Sequence, residues 1–143
     1  MKLSQNFSLA ELIVTQSGLP NAPGQIELAN LRKLAQTLEA VRSALGNNPI
    51  TINSAYRSPR VNSAVGGSAT SAHMVGLAAD FVCPAYGKPI AVCQAIAASG
   101  IQFDQLIHEY GRWIHIGIGP QARQQLLTID SRGIRTGLFE VRQ

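Results

Sequence analysis

The chain has 143 residues, the size of one domain with its own core, and at 45% apolar against 14% charged it is too apolar to be disordered. Its formal charge of +4 comes from scattered basic residues, with no aromatic–basic platform or DNA-reading motif, which argues against nucleic-acid binding. No stretch approaches the ~20 apolar residues of a membrane span, so no stable membrane association is expected.

Met1 to Ser8 lacks the apolar stretch of a secretory signal, which predicts cytoplasmic synthesis without a signal peptide. Phe7-Ser8-Leu9-Ala10-Glu11 reads as a helix start, with Ser8 and Glu11 forming a capping box and Phe7 a hydrophobic staple. This helix is predicted to end near Gly18-Leu19-Pro20, before a turn-rich stretch from Pro20 to Gly24. From Ile26 to Leu45, Leu31, Leu34, Leu38, Val41 and Leu45 recur at helical steps, with Gly46 as the stop. Ile50 to Tyr56 starts β-branched and alternating, and reads as a strand. Ser58-Pro59 opens a short helical turn through Val65, because proline is tolerated at the first helical position. Gly66 to Ser71 is an irregular loop.

Leu77 to Cys83 is a buried strand, and Lys88 to Ser99 a helix closed by Gly100. Strands over about Asp104–His108 and Trp113–Ile118 flank a hairpin-length turn, Glu109 to Arg112. Two further short strands are expected near Leu126–Ile129 and Thr136–Val141. Cys83 and Cys93 each sit in an apolar run and are predicted to be buried free thiols, which suits a reducing compartment. Helices fill the first third and strands the remainder without a βαβ rhythm. This predicts one α+β domain over residues 1–143 with a mainly antiparallel sheet, and a monomer.

Three side chains stand out chemically. Asp80 lies within an apolar strand, where a carboxylate is costly to bury unless a cation or donors compensate. A zinc ion would compensate it, and catalytic zinc takes three His or carboxylate ligands. Strand alternation puts Ile114, Ile116 and Ile118 on one face and Trp113, His115 and Gly117 on the other, so His115 points from the open face if the isoleucines are buried. His73 closes the Gly/Ser-rich loop. Each also has a plainer reading: a strand histidine is more often structural than a ligand, and Asp80 could cap a turn or pair with an arginine.

The blocks Ser54-Ala55-Tyr56-Arg57-Ser58, Ser71-x-His73-x-x-Gly76-x-Ala78-x-Asp80, Phe103-Asp104-Gln105-Leu106-Ile107 and Trp113-x-His115 resemble a family. It comprises the zinc D-alanyl-D-alanine carboxypeptidases and the related phage endolysins that cut L-alanyl-D-glutamate bonds. The resemblance runs from Phe7 to about Ile118. It implies a hedgehog/DD-peptidase-like fold, with helices packed on one face of the sheet and a zinc cleft on the other. It also implies zinc held by His73, Asp80 and His115, and hydrolysis of peptide bonds in peptidoglycan stem peptides as an endopeptidase or D,D-carboxypeptidase. Arg57 matches an arginine that holds the substrate or polarises its carbonyl, and Ser71 a serine that contacts the substrate backbone. By the residues alone Arg57 could also be a surface ion pair.

Several members carry an acid three positions before the last ligand, where this chain has Arg112. Glu109 is the best remaining candidate for the general base and Asp104 a weaker one, although Glu109 could equally be a solvated turn residue. His108, next to Glu109, falls on the opposite face. Tyr56, Tyr110 and Trp113 either shape the cleft, with Trp113 contacting substrate, or simply pack. The departure at Arg112 keeps a second reading in view, a zinc-stabilised cell-wall-binding module without turnover. The absence of a signal and of a wall-binding domain suggests a phage-type protein that acts on the wall after release.

Overall fold

A computed structural model describes residues 1–119 and 121–141. In chain order the elements are α1 (Leu9–Leu12), α2 (Gln25–Ala44), β1 (Thr51–Ser54), α3 (Pro59–Ala64), a 3-10 turn (Ala72–Val75), β2 (Ala78–Val82), α4 (Pro89–Ala98), β3 (Gln105–Glu109), β4 (Trp113–Gly117), β5 (Gln125–Asp130) and β6 (Gly133–Thr136).

The Ser8–Glu11 capping box forms in both directions, but α1 stops after one turn rather than reaching Gly18. The carbonyls that would extend it are taken elsewhere: Leu12 O accepts from Tyr56 N at 2.9 Å, and Ile13 O accepts from Asn21 Nδ2 at 2.9 Å. Long-range bonds therefore displace the local ladder. In α2 the expected stripe, Leu31, Leu34, Leu38 and Val41, is fully buried, followed by Leu45 at the C-cap. Ser58 Oγ accepts from Val61 N and starts α3, with Pro59 in its first turn.

The sheet has six strands in the order β1-β2-β4-β3-β5-β6. It is mixed rather than purely antiparallel, because β5 pairs parallel to β3 while the other neighbours are antiparallel. The reason is connectivity. The chain leaves β4 at the end where β3 begins and steps across β3 to its free edge, so it re-enters in β3's own direction. Gln124 N and Gln125 N fix that re-entry by donating to Phe103 O and Asp104 O, both at 3.0 Å. The last strand also differs from expectation: the turn after β5 is two residues long, so β6 starts at Gly133 and ends at Thr136.

One face of the sheet carries Ile52, Ala79, Phe81, Leu106, Ile114 and Ile116. These pack with Leu12 of α1, the α2 stripe, and Val92, Cys93 and Ile96 of α4 in one apolar cluster. The helices α1, α2 and α4 thus cover one face and leave Asp80, Glu109, Trp113 and His115 on the other. Cys83 and Cys93 are free and buried, and burial pushes the Cys93 thiol up to about 12. Among the described residues no helix is long and apolar enough to cross a membrane.

The 3-10 turn is docked on α2 at a position that only glycine suits. Gly76 has φ +78°, and a Cβ there would lie 2.7 Å from the backbone oxygen of Glu27. Beside it, Asn30 Nδ2 donates to Val75 O at 2.8 Å. Gly76→Ala should therefore destabilise the fold by at least about 1–2 kcal/mol, since left-handed backbone strain adds to a clash with main chain that has no room to move. A thermal melt of the variant checks this; an unchanged midpoint would contradict it.

Candidate metal centre

β2 and β4 bring the site together. Their antiparallel register sets Asp80 opposite His115, with Phe81 opposite Ile114 on the core side. Asp80 Oδ1 lies 2.9 Å from His115 Nδ1 and 3.3 Å from His73 Nε2, and the two imidazoles meet edge to face with centroids 5.1 Å apart. One donor atom from each of His73, Asp80 and His115 lies within 4.8 Å of the others. Among the described residues this is the group of three such side chains whose donors converge. His73 is the floor of the site, its side chain 3% exposed against 14% for His115 and 16% for Asp80.

His73 reaches this position through the 3-10 turn that follows the Gly/Ser-rich loop. Ser71 caps that turn, its Oγ accepting from His73 N at 3.2 Å. His73 Nδ1 lies 2.6 Å from Ala55 O. A carbonyl oxygen only accepts, so Nδ1 carries a proton, while Nε2 faces the Asp80 carboxylate. A lone pair aimed at an anion is unfavourable unless a cation or proton lies between them. Two imidazole nitrogens and one carboxylate oxygen make a donor set that fits zinc.

The charges around the cluster reinforce this arrangement. Burial pushes the Asp80 carboxyl up, but hydrogen bonds from His115 and His73, together with their charge, outweigh it and hold Asp80 well below the usual carboxylate range. Arg57 Nη2 is 3.9 Å from Asp80 Oδ2, and its side chain is 14% exposed, so this is a recessed group rather than a surface ion pair. Desolvation lowers the Arg57 pKa, while Asp80 and Glu109 partly restore it. Its Nη1 passes close to Gly67, where a Cβ would come within 3.0 Å.

Glu109 closes the ring, its Oε1 4.0 Å from His115 Nδ1. Burial and then the charge of Asp80 raise its pKa, offset in part by His115, Arg57 and Trp113. The Trp113 indole N–H, buried and without a full hydrogen bond among the described residues, lies close enough to favour the charged form of Glu109. Arg112, three positions before His115, is exposed at the hairpin. Asp104, the weaker candidate, is taken up by Arg123, whose Nε and Nη2 donate to it at 2.7 and 2.9 Å. His108 lies on the opposite face as alternation requires, buried with Nδ1 2.9 Å from Phe139 O. Trp113 stacks at a tilt on Tyr110, centroids 5.5 Å apart, and both line a cavity of about 810 Å3 beside the cluster rather than over it.

Sequence reasoning passed over Asn21. Though it lies in the turn-rich stretch from Pro20 to Gly24, Asn21 is 8% exposed and bonded to Ile13, Tyr56 and Ser58. No local pattern announces it, because two of its partners lie 35 and 37 residues away.

Residues 5–117 match the family described as Peptidase M15. Among curated proteins, the zinc D-Ala-D-Ala carboxypeptidase of Streptomyces albus G is 42% identical over 79 residues, 52% of this chain and 30% of that protein. The chain thus aligns with less than a third of that relative's length. The family match spans most of the chain, including every residue of the centre described above, and the protein belongs to the peptidase M15 family.

Proposed function

We propose that this protein is a zinc peptidase that hydrolyses peptide bonds in bacterial peptidoglycan stem peptides, with His73, Asp80 and His115 as the metal ligands. The observation that carries this reading is the convergence of two imidazole nitrogens and a carboxylate within 4.8 Å, on the sheet face the helices leave open. Family membership and the name of the Streptomyces relative support the metal and the substrate class. The layering, with helices on one face and the site on the other, supports the expectation of a hedgehog/DD-peptidase-like fold. Between trimming a terminal residue and cutting within the stem, similarity to a carboxypeptidase favours the first.

When bound, zinc would supply Lewis acidity, polarising a carbonyl and making water a better nucleophile near neutral pH. The chain's own residues do the rest. Glu109, its pKa raised by burial and then by the charge of Asp80, takes the proton of the attacking water and passes it to the leaving amine. Its place beside His115 supports Glu109 as the base despite Arg112, and so favours turnover over a non-catalytic wall-binding module. Arg57 offers a desolvated guanidinium to the carbonyl oxygen, where negative charge grows. Ser71 Oγ, already accepting from His73 N, keeps its O–H to donate to a substrate carbonyl. The Trp113 ring forms the wall against which the peptide lies.

Zinc at a hundredfold excess over its dissociation constant should stabilise the protein by about 2.7 kcal/mol, and Asp80→Ala should abolish the effect. Melts with and without zinc test this, and equal stabilisation of the variant would remove Asp80 from the ligand set. Purified, zinc-loaded protein should release amino groups from peptidoglycan, and chelator should stop it. Glu109 must be ionised to act as base, and its pKa lies above the ordinary glutamate value, so activity should fall as pH drops through that raised value. Glu109→Gln should lower kcat by about 10²–10⁴ and remove this acidic limb. Near-normal turnover in that variant would rule out the role.

A further inference from the structure

We propose that Asn21 is the positioning residue of Arg57: it holds the main chain on both sides of the arginine and so sets where the guanidinium stands. This rests on the reading of Arg57 as the group that meets the scissile carbonyl.

The segment Ala55–Ser58 follows the end of β1 and has no strand ladder to fix it. Its polar backbone groups are held instead by two side chains, those of Asn21 and His73, and by two carbonyls: Leu12 O accepts from Tyr56 N and His73 O from Arg57 N. Asn21 Nδ2 donates to Tyr56 O at 2.9 Å, and Asn21 Oδ1 accepts from Ser58 N at 2.7 Å, so one amide grips the residues immediately before and after Arg57. The second Nδ2 hydrogen goes to Ile13 O at 2.9 Å, which anchors the amide to the end of α1. Flipping the amide would face its oxygen to two carbonyls and its NH2 to an N–H, so the network itself fixes the orientation. Next to it, Ser58 Oγ donates to Pro20 O at 3.0 Å and fastens the same turn to the same segment.

The opposite side is held by His73, whose Nδ1 donates to Ala55 O at 2.6 Å and whose own carbonyl accepts from Arg57 N at 3.0 Å. The clamp therefore alternates: His73 takes residues 55 and 57, and Asn21 takes 56 and 58. Arg57 has little else to define its place. Its contact with Asp80 is a loose 3.9 Å, and its Nε is buried with no partner among the described residues. A guanidinium held so weakly at its tip is placed by its backbone, and an error near 1 Å at a reacting centre can cost about 10²-fold in rate. Among the described residues the Asn21 side chain bonds only to backbone groups, those of Ile13, Tyr56 and Ser58, so it works through the main chain.

The test is a double-mutant cycle of Asn21→Ala and Arg57→Ala, reading kcat, KM and zinc affinity on purified stem peptides. Asn21→Ala alone should lower kcat/KM about tenfold or more while zinc affinity stays within about threefold of wild type. In the Arg57→Ala background the same substitution should cost less than about twofold, although its effect on the melting temperature persists. An equal loss of activity in both backgrounds would overturn the proposal, because Asn21 would then act through general stability. If Asn21→Ala does not fold, Asn21→Asp, which keeps the acceptor for Ser58 N–H and loses both donors, goes through the same cycle with the same two outcomes. If the wild-type protein cleaves no stem peptide, the functional reading fails rather than the clamp. Amide exchange then decides: the substitution should speed exchange at Arg57 N–H, which is bonded to His73 and not to Asn21, and unchanged protection there would contradict positioning.

Discussion

Asp80 faces His115 across two antiparallel strands, and this one register pair places the chemistry of the molecule. Ala79 and Phe81 on β2, and Ile114 and Ile116 on β4, are wholly buried against the helices. Each large side chain among them contributes about 1.5–3 kcal/mol by burial. A slip of one residue would drive Asp80 into the core and bring Phe81 to the open face, so the apolar residues that stabilise the sheet also fix the polar ones. Gln105 to Glu109 extend the same logic: the pairing of β3 with β4 puts Glu109 opposite Trp113 on the face of His115, and His108 opposite Ile114 on the core side.

The centre is built from groups that conflict with one another. Two imidazoles share one carboxylate oxygen, the His73 tautomer is set by Ala55 O, and Glu109 is raised by burial and by Asp80. Burial of so many titratable groups is expensive in an ordinary core. It is tolerated where a cation and a substrate complete the set, and perturbed groups of this kind gather at functional sites. The Asn21–His73 clamp belongs to the same economy of parts, since His73 both offers Nε2 to the centre and holds the backbone that carries Arg57.

Much of this was legible in the sequence, where a local physical cause sufficed. Alternation of Ile114 and Ile116 placed His115 on the open face, Ser58-Pro59 announced α3, and the leucine spacing marked α2 within a residue of its observed bounds. The metal and the substrate came from resemblance, since spacing alone does not distinguish a ligand histidine from a structural one. What escaped was non-local. The early end of α1 is decided by Tyr56 and Asn21, and the parallel pairing of β5 by how the chain steps around β3. The start of β6 at Gly133 depends on a two-residue turn that the last polar stretch does not distinguish from a longer one.

Everything in this reading turns on His73, Asp80 and His115 holding zinc together. X-ray absorption at the zinc edge, on protein loaded with one equivalent, reads the ligand set directly. Only nitrogen and oxygen neighbours at about 2.0–2.2 Å are expected, with the outer-shell scattering of two imidazoles. A sulfur neighbour at about 2.3 Å would place the metal on a cysteine instead, and a shell without imidazole scattering would leave both histidines unbound; either result contradicts the centre described here.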